Sequence, residues 1–239
     1  AAVADGRRIY ANRAELQTIV AAEVAPLRQT YIASSIAVLT ETGVADRLRD
    51  PHGASRTAVE QIIGAVRRIG DGAVLTDGEV AELAYGLTDL TVRDAMFALA
   101  IGDLADAAEL LWAKLSRALP RPWRAETLML WAYCAYCRGD GPLAGVALQE
   151  ALQADPAHRM AGLLDCALQN GMQPSQIREL AFTGYELGDQ LGAELLLRDL
   201  VGDVTEQAFR EFHDVALVHD GQRLAVVGDD VLERRAHQA

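Results

Sequence analysis

The sequence predicts a mainly α fold: an array of antiparallel helix hairpins, tetratricopeptide-like, with small β elements at the N- and C-termini. Three observations carry this. Aromatic residues are only 5% of the chain, so alanine and leucine supply most of the apolar volume, a mix suited to closely packed helices. Helix-start pairs recur at Thr57/Glu60, Thr76/Glu79 and Thr91/Asp94, where each side chain can satisfy a free backbone N–H of the first turn. Between residues 91 and 171, apolar segments alternate with Gly-Asp and proline punctuation at a regular interval.

Taken in order, "AAVADGRRIYANRAEL" suggests two short strands around Asp5-Gly6 and a helix opening near Asn12. Residues 1–25 are expected to form a short β/linker segment ending an upstream region. The period turns helical from Pro26, with Ile32, Ile36, Leu39 and Val44 at three-to-four spacing, until Pro51-His52-Gly53 breaks it. Val59, Ile62, Ile63, Val66 and Ile69 make the apolar face of the next helix. Helices then run to Ile101, Leu119, Arg138, Ala154 and Asn170, separated by Gly102-Asp103, Pro120 with Pro122, Gly139-Asp140 and Asp155-Pro156. This makes 26–200 a helical domain with a tetratricopeptide-like core at 91–171. The remainder, 201–239, is a tail whose "VALVHDGQRLAVV" flanks Asp220-Gly221 as a β-hairpin at 215–227 would.

One stretch discriminates between function classes. In "CRGDGPLAGVALQEALQADP", residues 137–156, Gly139, Gly141 and Ala144 satisfy the loose dinucleotide pattern G-x-G-x-x-G/A. That pattern binds a pyrophosphate only where a strand enters and a helix leaves. The entering segment "AETLMLWAYCAYC" is rich in helix formers and has one β-branched residue, Thr127. A 34-residue tetratricopeptide register starting at Ala125 fits more positions. Leu128 and Trp131 take the large places of the first helix and Ala132 the small one. Gly139-Asp140 turns the chain, Ala144, Leu148 and Ala151 pack the second helix, and Pro156 stops it. Ala135 stands where that repeat favours tyrosine. The glycines are therefore expected to shape a hairpin at about 125–158.

"LTVRDAMFALA", the tryptophan of "LLWAKLSRALP" and "LMLWAYCAYCRGDGPLAGVALQEALQADPAHRMAGLL" together resemble the actinobacterial family called domain of unknown function 4192, as does the opening "AVADGRRIYANRAEL". The resemblance covers most of 1 to about 174 and implies that an α/β half lies upstream, this chain being the C-terminal helical half. It implies no activity, and residues beyond about 175 depart from it.

Bulk properties narrow the partners. The net charge is −12 and lysine occurs once, at Lys114, which opposes binding to a phosphate backbone. Three cysteines make no disulfide framework and suit a reduced, cytoplasmic setting. The most apolar run, at 128–137, is far short of the roughly 20 residues that a bilayer requires. No nucleic acid, membrane, metal or cofactor is expected as a partner.

Residue patterns offer little chemistry. Cys134-x-x-Cys137 lies at a helix C-terminus, where the dipole does not favour a thiolate. His213, Asp214, His219 and Asp220 follow no metal-ligand spacing. Ser34-Ser35 has no nucleophile context. Arg93 is expected to pair with a neighbouring acid, Asp94 to serve a helix cap, and Trp112, Trp123 and Trp131 to fill core.

The positions that line the concave face of a tetratricopeptide hairpin are Glu126, Met129, Tyr133, Tyr136 and Cys137. Two tyrosines and a methionine on one stripe suit capture of a peptide or partner helix. The competing reading is that neighbouring helices cover the stripe as ordinary core. The function expected is a non-catalytic helical-repeat protein–protein interaction domain. The alternatives are the helical accessory half of an enzyme whose catalytic part lies upstream, or a homodimerisation module.

Overall fold

The computed structural model describes residues 12–23 and 25–193, and they are mainly helical, with no strand among them. All belong to the first of two units, 1–202 and 203–239. The strands expected before residue 12 and the hairpin expected at 215–227 lie outside the described residues.

Asn12 opens α1 (Arg13–Val20) as expected, its side-chain oxygen accepting the Glu15 N–H at 3.1 Å. This helix packs on later helices of the array rather than serving as a linker. Next comes α2 (Pro26–Arg49), with proline in its first turn, where a missing N–H costs nothing.

Pro51 does not break the chain into a loop. It begins α3 (Pro51–Gly70), which Asp50 caps by accepting the Gly53 N–H at 2.9 Å. The helix therefore starts six residues before the Thr57/Glu60 pair, which is no capping box. Thr57 Oγ1 donates to the Gly53 carbonyl and Glu60 pairs with Arg56 one turn away. An Asx-Pro start had already satisfied the free end upstream. The Thr76/Glu79 box is real and opens α4 (Asp77–Leu87).

The third pair is displaced like the first. Asp89, not Thr91, caps α5 (Leu90–Ala95), accepting the Thr91 N–H at 2.9 Å. Asp94 is left to pair with Arg93. A 3₁₀ segment, Met96–Ala100, continues this helix to the Gly102 turn.

The hairpins then follow as α6 (Ala105–Ala118), α7 (Arg124–Cys137), α8 (Gly141–Ala154) and α9 (Arg159–Gln169), each packed on the next. Between α7 and α8, Gly139 adopts φ 84° and the Asp140 N–H donates back to the Ala135 carbonyl at 2.8 Å. Asp140 caps α8 through the Leu143 N–H at 3.1 Å. A helix enters this turn where a dinucleotide loop needs a strand, so its glycines serve geometry.

The chain then returns. After α10 (Pro174–Ile177), α11 (Glu179–Gln190) packs against α5 and the 3₁₀ segment. Gly184 permits this approach. A Cβ there would lie 2.5 Å from the Ala98 backbone nitrogen and 2.9 Å from the Ala95 carbonyl oxygen. Backbone cannot yield as a flexible side chain can.

Gly184→Ala is therefore expected to lower stability by about 3 kcal/mol or more through overpacking. The control is Gly162→Ala inside α9, where a Cβ would meet nothing within 4 Å. That change is expected to be neutral or to stabilise by up to about 1 kcal/mol. Urea denaturation of both variants measures the contrast, and equal effects would contradict this packing.

Candidate functional site

The predicted stripe lies on α7, and α7 is the most enclosed helix described. Met129, Tyr133, Tyr136 and Cys137 are buried, Tyr133 being 1% exposed and Tyr136 2%. What covers them is the return of the chain. Tyr133 Oη donates to the Ile177 carbonyl at 3.2 Å, and Tyr136 Oη to the Met172 carbonyl at 2.8 Å. Arg178 Nε donates to the Cys137 carbonyl at 2.8 Å. The Tyr133 ring also meets Phe97 edge-on, with centroids 4.7 Å apart. Burial pushes both phenols above their usual range. In this arrangement the stripe is internal packing rather than an open groove, because the segment after α9 seats its backbone carbonyls on the two phenols.

The cysteines are equally remote from chemistry. Burial pushes the Cys134 thiol up, and the Cys137 thiol to about 11, the opposite of what a reactive thiolate needs. Cys166 is exposed. Among the described residues, no group of three or more His, Cys, Asp or Glu side chains could hold a metal ion. Trp112 and Trp131 are buried as expected, and Trp131 Nε1 donates to Glu109 Oε1 at 3.2 Å. The residues 213–220 lie outside the described part.

Glu126, at the head of the stripe, belongs to a polar cluster that sequence reasoning did not assemble. Its Oε2 lies 3.1 Å from His158 Nε2 and 3.8 Å from Arg93 Nη1, and Arg93 holds Asp94 at 2.7 Å. His158 Nδ1 accepts the Ala161 N–H at 3.1 Å and so caps α9. A neutral imidazole that accepts at Nδ1 carries its proton on Nε2, facing Glu126. The Nε2–Oε2 contact is close but off the hydrogen-bonding line, so neither atom has an aligned partner among the described residues. Beside this cluster, buried Arg124 reaches the Val20 carbonyl at 3.0 Å, the Ser116 carbonyl at 3.1 Å and Glu150 at 3.5 Å. It thereby ties α1, α6 and α8 to α7. These groups neutralise one another and cap helix ends, and the histidine and arginine have sufficient structural work.

Two outer features remain. A cleft of about 500 Å³ lies between α2, α3 and α4, lined in part by Arg47, Asp50, Thr57 and Tyr85. The Arg47 guanidinium sits 3.8 Å over the Tyr85 ring and donates to the Tyr85 carbonyl. The other is the outward face of α2. Ile32 and Ile36 are buried, Leu39 is half-buried and Val44 faces solvent, so the expected stripe splits. Leu27 is 89% exposed and Leu48 78%, with Tyr31, Val38 and Val44 about half or more exposed between them.

The chain belongs to the family described as a domain of unknown function, DUF4192, which matches residues 1–175. No curated protein and no solved structure matches the chain. The match ends inside α10, so most of the segment that closes over Tyr133, α11 included, lies beyond it.

Within the polar cluster, burial raises the Asp94 carboxyl above its ordinary 3.8, against the pull of the Arg93 guanidinium and with help from Glu126 and Asp89. A carboxyl raised in this way contributes stability that is complete below pH 3.8 and lost as pH climbs through the folded-state value. Melting temperatures of wild type and Asp94→Asn are therefore expected to diverge in favour of the variant as pH rises from about 3.5 to 6. A constant gap, or one that moves the other way, contradicts the assignment.

Proposed function

We propose that this domain is a non-catalytic protein-association module, with the outer face of α2 in place of the tyrosine stripe as its contact surface. The observation that carries the reading is the row Leu27, Tyr31, Val38, Val44 and Leu48 on one exposed helix. These five are among the most exposed large apolar side chains described, with Leu27 89% and Leu48 78% exposed on the same helix. Hydrophobic burial rewards covering such a face, and leaving it bare invites non-specific sticking. The α7–α8 hairpin, with its Gly139 turn and its stop at Asp155-Pro156, supports a tetratricopeptide-like scaffold at about 125–158. In this reading the repeat core is a rigid support and the added helices fill its concave side.

The alternative, a helical accessory half to an enzyme, draws its support from the α2–α3–α4 cleft. Mixed charges and a stacked Arg47–Tyr85 pair line it without a nucleophile–base arrangement, so the association reading is preferred.

A photocrosslinking residue placed at position 38 of the full chain in cells is expected to give a discrete protein adduct. Adding Leu27→Ser and Leu48→Ser is expected to cut its yield at least about tenfold, as loss of buried apolar area at an interface does. Absence of an adduct, or the same adduct from a crosslinker at exposed Glu82 on α4, would mean that this face makes no specific contact.

A further inference from the structure

We infer that residues 37–49, the C-terminal half of α2, are a latch that unwinds while the rest of the domain stays folded, with Arg47 as its fastener over the α2–α3–α4 cleft. The inference concerns the inner side of α2 and stands apart from the association reading.

The first ground is how unevenly α2 is anchored. Its N-terminal half buries Ile32 and Ile36 completely, and Arg28 bridges Glu23 at 2.6 Å and Asp77 at 2.7 Å. Beyond Ile36 no residue of the helix is buried. Leu39, Gly43 and Arg47, spaced four apart, form a half-buried inner ridge, and every other residue from 37 to 49 is exposed. Anchorage resumes in α3, where Ser55 Oγ donates to Asp89 Oδ2 at 2.6 Å and Val59 is buried. The weakly held segment thus lies between two fixed points and can open without carrying either away.

The second ground is the segment's own sequence, "AVLTETGVADRLR". Val38, Thr40, Thr42, Gly43, Val44 and Asp46 are weak helix formers, and a helix this short is marginal in water even when built from good ones. Packing normally makes up the difference, and here there is little of it. The ion pair of Arg49 with Asp46, at 3.0 Å, stays inside the segment and is about three-quarters exposed, so it adds little.

The third ground is the contact that holds the segment closed. Among the described residues, Arg47 alone ties it to another helix by polar contacts. The Arg47 guanidinium lies 3.8 Å over the Tyr85 ring and donates to the Tyr85 carbonyl at 2.8 Å and to Thr88 Oγ1 at 3.1 Å. One turn earlier, Gly43 makes room for the same tyrosine, since a Cβ there would overlap Tyr85 Oη. That hydroxyl is buried with no hydrogen-bond partner among the described residues, a cost that opening relieves by admitting water. Arg47 therefore works against both weak helix propensity and an unsatisfied phenol.

The surface under the latch survives its release. Helices α3 and α4 pack closely on each other without α2: a Cβ on Gly86 would meet Ala58 Cβ at 3.3 Å and Ile62 Cδ1 at 3.8 Å. Leu39, Gly43, Asp46 and Arg47 supply one wall of the cleft of about 500 Å³. Unwinding them lays open Tyr85 and the Ala54–Ala58 side of α3.

Native-state hydrogen exchange of the full 239-residue chain, read by mass spectrometry, tests the latch. Amides at 40–49 are expected to exchange at least about 100-fold faster than those at 128–137 on α7, as a locally opening segment does. Arg47→Ala is expected to speed exchange at 40–49 about tenfold further and to leave α7 and α8 unchanged. Protection at 40–49 equal to that of α7 overturns the proposal. So does a variant whose acceleration is absent or spread evenly over the domain. Nitration by tetranitromethane reads the cleft itself. Tyr85 should react ahead of buried Tyr133 in the wild type, and faster still in Arg47→Ala. A Tyr85 as unreactive as Tyr133 while 40–49 exchanges would overturn the opening of the cleft.

Discussion

Burial of α7 on every side is the constraint from which the rest of the arrangement follows. Ten consecutive apolar residues, 128–137, leave this helix no polar face to turn toward water. A helix that is apolar all round must be enclosed. Two neighbours, α6 and α8, cover part of it, and the remainder needs a third layer. That layer is the returning segment of α10 and α11, which seats carbonyls of Met172 and Ile177 on the two tyrosine hydroxyls. Each large side chain so enclosed contributes about 1.5–3 kcal/mol. The Gly184 contact is what brings the covering helix close enough.

Enclosing the helix also sets where polar groups can go. They collect at its N-terminal end, where Arg124 reaches three other helices and Glu126 lies among Arg93, Asp94 and His158. One imidazole nitrogen of His158 caps α9 and the other faces a carboxylate, so a single side chain joins α7 to the start of α9. Exposed apolar side chains are instead found on the outer side of α2, which contributes only Ile32 and Ile36 fully to the core.

Much of this was legible in advance. The helix-opening role of Asn12, the Thr76/Glu79 box and the Gly139 turn depend on a few adjacent residues, and each was found where local rules put it. Family membership was readable from the block around 90–165 and is supported over 1–175. The misplaced starts at Thr57 and Thr91 share a cause. An aspartate a few residues upstream, Asp50 or Asp89, captures the free N–H groups first. The tyrosine stripe illustrates a different limit. A repeat register assigns residues to the concave side, but only the long-range return of α10 and α11 decides whether that side is open. A usable signal was present, since a groove-lining helix should alternate apolar and polar faces and 128–137 does not. The Glu126–His158 contact joins residues 32 positions apart on different helices, which no local pattern reports.

The enclosure of α7 can be measured with the three thiols the chain already carries, two on that helix and Cys166 exposed on α9. Under native conditions a thiol reagent should modify one cysteine per chain rapidly, and mapping should place it at Cys166. In denaturant all three should react. Rapid native labelling of Cys134 and Cys137 would mean that the helix is open to solvent, and would contradict the account of the core and of the stripe together.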